Sequence, residues 1–221
     1  MFVRLFMHSI DELNGDMIMK EQSLTDLKKM IEILVIDDME FSYLSALGNY
    51  EFNIKQKKDL THLSDAAEFG IILCDIRGVG KFLDSKFDGA ALIKELKNKY
   101  PNKIIIAYTA NNYDAEFQKY LNYADEIVPK GDFSLEDWVS LLEKQIKNSV
   151  NPVEQWKRTR AALLDAGVPT KDVAKYESQY VKAIKNNSFE SIKKLYSHKN
   201  QNGSKIMLDL LSTTIAKVIK G

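Results

Sequence analysis

Four short apolar runs, each stopped by a polar side chain, constrain this chain more than any other feature. They are Ile33-Leu34-Val35-Ile36 before Asp37-Asp38, Phe69-Gly70-Ile71-Ile72-Leu73-Cys74 before Asp75, Ile104-Ile105-Ile106-Ala107-Tyr108 before Thr109-Ala110, and Glu126-Ile127-Val128-Pro129 before Lys130. Ile71, Ile72 and Leu73 leave no room for a polar face, which suits a strand buried on both sides of a parallel sheet. One Asp at the end of such a strand is as readily the cap of a turn as a working carboxylate. The four ends taken together say more. In open α/β sheets the ligand crevice lies beyond the carboxyl ends of the strands. These ends would gather two acids, a third acid, a hydroxyl and an ammonium around one crevice.

The segments between the runs read as helices. Met39, Tyr43, Leu44 and Leu47 fall at helical spacing over residues 39–48, with Gly48 as a stop. Phe52-Asn53-Ile54 reads as a short, weak strand, and residues 64–69 as barely two helical turns. A helix over residues 89–100 places Ala91, Leu92 and Leu96 on one face before Pro101. Another lies around residues 114–122. Ser134 caps a last one over residues 135–147, striped by Leu135, Trp138, Val139, Leu142 and Ile146. The alternation is a (βα)5 pattern, which predicts a doubly wound parallel sheet.

The flanks differ from this middle. Residues 1–31 read as an accessory element packing on the sheet domain. Phe2, Leu5, Phe6 and Ile10 suit a helical face, with a strand over residues 2–7 as the alternative; Asn14-Gly15 marks a turn, and Ser23 with Asp26 a helix start. Beyond Asn151-Pro152 the chain reads as all-helical. A helix carrying Trp156, Arg160, Leu163 and Leu164 runs to Gly167. A second carries Val173, Tyr176, Tyr180, Val181 and Ile184. Phe189, Ile192 and Leu195-Tyr196 suggest a third, and after a turn at Asn202-Gly203 come Ile206, Leu210, Leu211, Ile215 and Val218. The domain boundaries expected are thus 1–31, 32–150 and 151–221.

Charge separates the same regions. Residues 151–221 hold 13 of the 31 Lys and Arg but only 6 of the 31 Asp and Glu, so the rest of the chain is acidic. That surplus suits a solvated or domain-docking surface, with nucleic-acid contact as the alternative. Residues 163–180 have a loose helix-turn-helix look without a recognition helix carrying base-reading side chains. A single cysteine, Cys74, makes no intramolecular disulfide, which fits a reducing cytosol. No apolar run approaches the roughly 20 residues of a membrane-spanning helix. His8, Asp11 and Glu12 interrupt the N-terminal apolar stretch early, against a secretory signal. The expected setting is the cytoplasm, with no membrane.

Asp37-Asp38, Asp75, Thr109-Ala110 and Lys130, each at the end of its strand and in this order, resemble the receiver domain of two-component response regulators. Asp88-Gly89 at the opening of the third helix is similar to that family as well. The resemblance covers residues 32–148, about half of the chain. It implies a flavodoxin-like sheet and a phosphorelay role: Asp75 accepts a phosphoryl group from a sensor histidine kinase or phosphotransfer protein, and Thr109 and Lys130 assist it. Mg2+ takes hard oxygen ligands. Asp38, Asp75 and a backbone carbonyl near Arg77 would supply them, with Asp37 acting through water. Such a protein is a phosphoacceptor rather than an enzyme with an output activity of its own, and its helical domain would engage a protein partner. A DNA- or RNA-binding regulator, or a receiver-like scaffold that ignores phosphate, are the alternatives.

The chain departs from the family pattern at four places. Asp38 and Asp75 are 37 residues apart, several fewer than usual, which trims the second strand or helix. Asp75 and Gly89 are 14 apart, several more than usual, which makes residues 76–87 an inserted loop. Ile127 stands where many receivers place a switching aromatic, and Gly131 rather than Pro follows Lys130. With Ile127 there, residues 110–134 would have to carry the signal as backbone. Gly78-Val79-Gly80-Lys81 makes a poor phosphate loop, since an earlier Gly and a following Ser or Thr are missing. Cys74 reads as core, and His8, His62 and His198 lack ligand spacing.

Overall fold

The structure, a computed structural model, describes residues 7–16, 22–83, 86–110, 115–188 and 202–210. The chain divides into two compact units. One is residues 22–149; the other joins residues 150–221 to the first 21.

The first unit is built on five parallel strands, β1 (Ile33–Ile36), β2 (Ile54–Lys57), β3 (Ile71–Asp75), β4 (Ile104–Thr109) and β5 (Glu126–Pro129). Their order is β2-β1-β3-β4-β5, the flavodoxin-like doubly wound arrangement. Strand side chains alternate between faces. Leu34, Ile36, Ile72, Cys74, Ile105 and Ala107 point to one face and share a core with Ala90, Ile93 and Leu96. The residues between them, such as Ile33, Val35, Leu73 and Ile106, are also fully buried. The three central strands are therefore covered on both faces, as their unbroken apolar runs require.

The helices of this unit are α1 (Leu24–Met30), α2 (Leu44–Asn49), α3 (Asp88–Lys99), α4 (Ala115–Leu121) and α5 (Leu135–Val150). Ser23 caps α1 through Asp26 N, and Leu27 is buried, so this helix belongs to the sheet unit. The helix expected over residues 39–48 begins only at Leu44. Gln56 on β2 explains the delay. Its amide donates to the Asp37 and Met39 carbonyls and accepts from Phe41 N, which commits those backbone groups to a loop. Gly48 lies inside α2 rather than ending it, and the left-handed residue beyond is Glu51, φ 66°. β2 itself lies two residues later than Phe52-Asn53-Ile54 suggests. Residues 64–69 form no α-helix but a short 3-10 turn, Leu63–Ala66, in which Asp65 accepts from Thr61 N and His62 N.

α5 is set up locally. Ser134 and Asp137 exchange hydrogen bonds as a capping pair, and the Phe133 ring packs on Trp138 at 4.9 Å, a hydrophobic staple. The loop after β3 is held as firmly. Ile76 and Val79 are fully buried, and the Asp59 carboxylate accepts from Gly80 N and Lys81 N at 2.6 and 3.1 Å.

The second unit contains α6 (Pro152–Asp165), α7 (Thr170–Lys185) and α8 (Asn202–Leu210). Asn151 caps α6 through Val153 N and Glu154 N, with Pro152 in the first turn. Trp156 stacks on Tyr180 at 5.5 Å and donates to Glu177, while the Tyr180 hydroxyl donates to the Pro152 carbonyl. Asn202-Gly203 is not a turn but the start of α8. A side chain at Gly203 would meet Val168 and Tyr176 at 3.1 and 3.3 Å, so its glycine serves close packing. Residues 7–16 belong to this unit. His8 N and Ile10 N donate to Ser178 and Glu177 on α7, and Glu12 pairs with Lys185. The apolar positions at Phe2, Leu5 and Phe6, the helix suggested around Phe189–Tyr196, and Leu211, Ile215 and Val218 lie outside the described residues.

Candidate functional site

The strand register builds the site. Asp75 pairs with Tyr108, and Tyr108 with Val128, so Asp75, Tyr108 and, two residues on, Lys130 share one face. Ile36 pairs with Cys74, which brings Asp37 level with Asp75 on the neighbouring strand. The result is that Asp37, Asp38 and Asp75 each offer an oxygen within 4.8 Å of the others. Lys130 Nζ lies 2.6 Å from Asp75 Oδ2 and 3.1 Å from Asp37 Oδ2. Four residues that the sequence places 93 positions apart at most thus meet in one pocket.

The electrostatics follow from crowding. Asp37 and Asp75 are 3% and 7% exposed. Burial holds the Asp75 carboxyl above its ordinary value, against the bond from Lys130, and the charge of Asp37 adds to the rise. Burial alone would push the Lys130 ammonium down, but Asp75 and Asp37 outweigh it and hold it up. One ammonium bonds both buried carboxylates but can neutralise the charge of only one. Three carboxylates against one ammonium leave an excess of two negative charges in this set. Hard oxygens with that excess fit a divalent cation such as Mg2+ or Ca2+.

Two glycines let the surrounding backbone close on the site. A Cβ on Gly89 would lie 1.9 Å from the Asp75 carbonyl oxygen, so α3 can start against the end of β3 only with glycine there. Gly78, φ 74°, lays the loop against Asp38, whose carboxylate a Cβ would meet at 2.5 Å.

The remaining expected residues take other positions. Arg77 donates its backbone N–H to Asp75 Oδ1 at 3.4 Å, while its guanidinium lies over the Phe117 ring. Thr109 is buried at the end of β4, and its hydroxyl donates to the Ala110 carbonyl rather than to a carboxylate. The N–H groups of Gly80 and Lys81, which a phosphate loop would offer to an anion, are taken by Asp59. Cys74 is buried, its thiol pushed well up by burial first and the neighbouring acids second. Among the described residues the three aspartates are the one metal-type cluster; His8 and His62 are not in it, and His198 lies outside the described residues.

Tyr108, which borders the site without offering it a ligand, is what sequence reasoning passed over. Its hydroxyl donates to Asp37 Oδ2 at 2.6 Å, and burial first, then Asp37, keep it protonated far above the ordinary phenol range. Its ring makes edge contacts with Phe41 and Trp138 at 5.6 and 6.0 Å. A cavity of about 270 Å³ opens beside it, lined by Asp37, Phe41, Tyr43, Tyr108, Lys130 and Trp138 among others. A usable signal was present: a buried Tyr needs a partner for its hydroxyl, and this one ends a run otherwise made of Ile and Ala.

Strand order and register define a flavodoxin-like doubly wound module with an acidic pocket at the carboxyl ends of its strands. Solved structures similar to the chain include response regulator receivers. One, a CheY-like receiver domain protein from Methanospirillum hungatei, is 19% identical, with a TM-score of 0.44 over 57% of this chain and 97% of its own. A response regulator from Thermotoga maritima is 18% identical, with a TM-score of 0.41 over 54% and 98%. The receiver domain of NtrX from Brucella abortus is 20% identical, with a TM-score of 0.42 over 52% and 98%. These are distant likenesses, and the fold assignment rests on the strand order and register of this chain. No family model and no curated protein matches it.

Proposed function

We propose that residues 22–149 are a phosphoacceptor module of a phosphorelay and that Asp75 is the acceptor. The observation that carries this reading is the placement of Lys130 between Asp75 and Asp37 with Asp38 alongside. An oxygen of Asp75 forms the new O–P bond as the donor's P–N or P–O bond breaks, and the electron pair leaves with the donor. Mg2+, held by Asp38, Asp75 and the Arg77 carbonyl with Asp37 beside them, would offset the charge of the phosphoryl oxygens. Lys130 can pass from Asp75 to a phosphoryl oxygen while keeping Asp37, so the ammonium is never left unpaired. Thr109, at the end of the adjacent strand, has a hydroxyl that can exchange its local carbonyl for the phosphoryl group. The donor is a sensor histidine kinase or phosphotransfer protein, and the helical unit is the part that meets a protein partner. The setting is cytoplasmic; no helix among the described residues is long and apolar enough to cross a membrane.

Mass spectrometry after incubation with a small phosphodonor and Mg2+ tests the assignment. The wild type is expected to gain one phosphoryl group, and Asp75→Ala none. An equal gain in Asp75→Ala would sink it.

A further inference from the structure

We infer that Tyr108 relays the state of the carboxylate site to α5, its hydroxyl reading Asp37 and its ring pressing on Trp138. The inference rests on the reading of Asp75 as phosphoacceptor and names the residue through which that site reports its filling.

Asp37 links the site to Tyr108. Its Oδ1 accepts from Met39 N at 2.9 Å, which ties one oxygen to the β1–α2 loop. Its Oδ2 is shared by Tyr108 and Lys130, at 2.6 and 3.1 Å. As Lys130 leans toward a phosphoryl oxygen, or a cation draws on Oδ2 itself, the position of that oxygen and the competition for it change, and with them the bond that Tyr108 makes. The hydroxyl cannot ignore this, because a buried hydroxyl left without a partner is unfavourable. Tyr108 is 2% exposed and must follow Asp37 or find another acceptor.

The surroundings give it room and a listener. Most core side chains are too closely packed to move singly, but Tyr108 borders the cavity of about 270 Å³. Lys130 Nζ lies 4.7 Å from the centre of the Tyr108 ring, so the ring also senses where that ammonium goes. On its other side the ring meets Trp138, which sits in the first turn of α5 and is stapled there by Phe133. The Tyr43 hydroxyl donates to the Phe133 carbonyl, and the Tyr43 and Phe41 rings are in edge contact, which closes the cluster. Ile127 has no such position. It pairs with Ala107, whose side chain points to the opposite face from Tyr108, and it is 38% exposed. The aromatic reporter absent from β5 is thus supplied from β4, toward a different helix face.

The experiment uses the full chain labelled with 5-fluorotryptophan. Trp138 and Trp156 are its two tryptophans, and beryllofluoride serves as phosphoryl mimic in the presence of Mg2+. Fluorine NMR then reads bound beryllofluoride and the Trp138 line in one sample. On binding, the Trp138 line is expected to shift; in Tyr108→Phe bound beryllofluoride should persist while the shift falls to less than half. A full-sized shift in Tyr108→Phe overturns the relay, as does an unmoved Trp138 line in the wild type with beryllofluoride bound; both leave the phosphoacceptor reading standing. Loss of binding in Tyr108→Phe also overturns it, making the hydroxyl part of the binding site instead. Absence of bound beryllofluoride in the wild type overturns relay and phosphoacceptor together. Should Tyr108→Phe not fold, Tyr108→Met removes hydroxyl and ring while its flexible side chain fills the space, and the same two outcomes decide.

Discussion

Asp38 is the carboxylate of the pocket that can be removed at least expense to the core. It lies beyond the end of β1 and outside the buried core, whereas Asp37 and Asp75 are tied into Tyr108 and Lys130. Asp38→Ala is therefore expected to weaken Mg2+ binding at least roughly tenfold, the least that loss of even an outer partner costs a metal site, with the fold intact. Calorimetric titration with Mg2+ checks this, and an unchanged affinity would remove Asp38 from the ligand set. At this scale the acids and Lys130 were legible because strand ends are local features. The bond from Tyr108 to Asp37 was not. It joins β4 to β1 over β3, across two strand spacings of roughly 4.8 Å each, and no local pattern encodes such a reach.

Elements show the same division. The cap and staple of α5 lie within six residues, from Phe133 to Trp138, and the N-cap was readable from Ser134. The late start of α2 was not readable, because Gln56 on the neighbouring strand holds the loop before it. The start of α3 mixes the two. Asp88-Gly89 is visible as a pair, but its reason is the Asp75 carbonyl beneath Gly89. Asp88 itself takes a left-handed φ of 45°, a strained conformation for a side chain to adopt. Gly89→Ala would force a Cβ into backbone that cannot yield as a flexible side chain does. We expect a loss of about 3 kcal/mol, at the upper end for overpacking, measured by urea denaturation. A loss under about 0.5 kcal/mol, the ordinary range of surface substitutions, would mean that α3 does not sit this close to β3.

For the whole chain, the telling contact joins Glu12 to Lys185, 173 residues apart. Together with the bonds from His8 N and Ile10 N to α7, it places residues 7–16 on the helical unit, where sequence reading put the whole of residues 1–31 against the sheet. The pair has a pH signature. Lys185 first, then His8 and Ser9 N, lower the Glu12 carboxyl from 4.5 to about 2. A lowered acid favours the folded state when ionised, so this contribution is whole above pH 4.5 and is lost as pH falls toward 2. Carbon-13 NMR of the Glu12 carboxylate should show a midpoint near 2 in the wild type, rising toward the ordinary value in Lys185→Gln. A wild-type midpoint near 4.5 would show that Glu12 does not pair with Lys185 in solution.

The sequence by itself determined where the strands run, that they are parallel and doubly wound, and which side chains stand at their carboxyl ends. Burial and periodicity act over a few residues, so Ile71-Ile72-Leu73 and the acid after it carry that information in place. Only the tertiary structure decided that Gln56 shapes the first loop, that Asp59 pins the inserted one, that Tyr108 bonds Asp37, and that the N-terminal residues lie on α7. Each of these is a polar group finding a partner far along the chain. The need for a partner is written in the residue type, but which partner answers depends on distances that exist only once the strands and helices have been brought together.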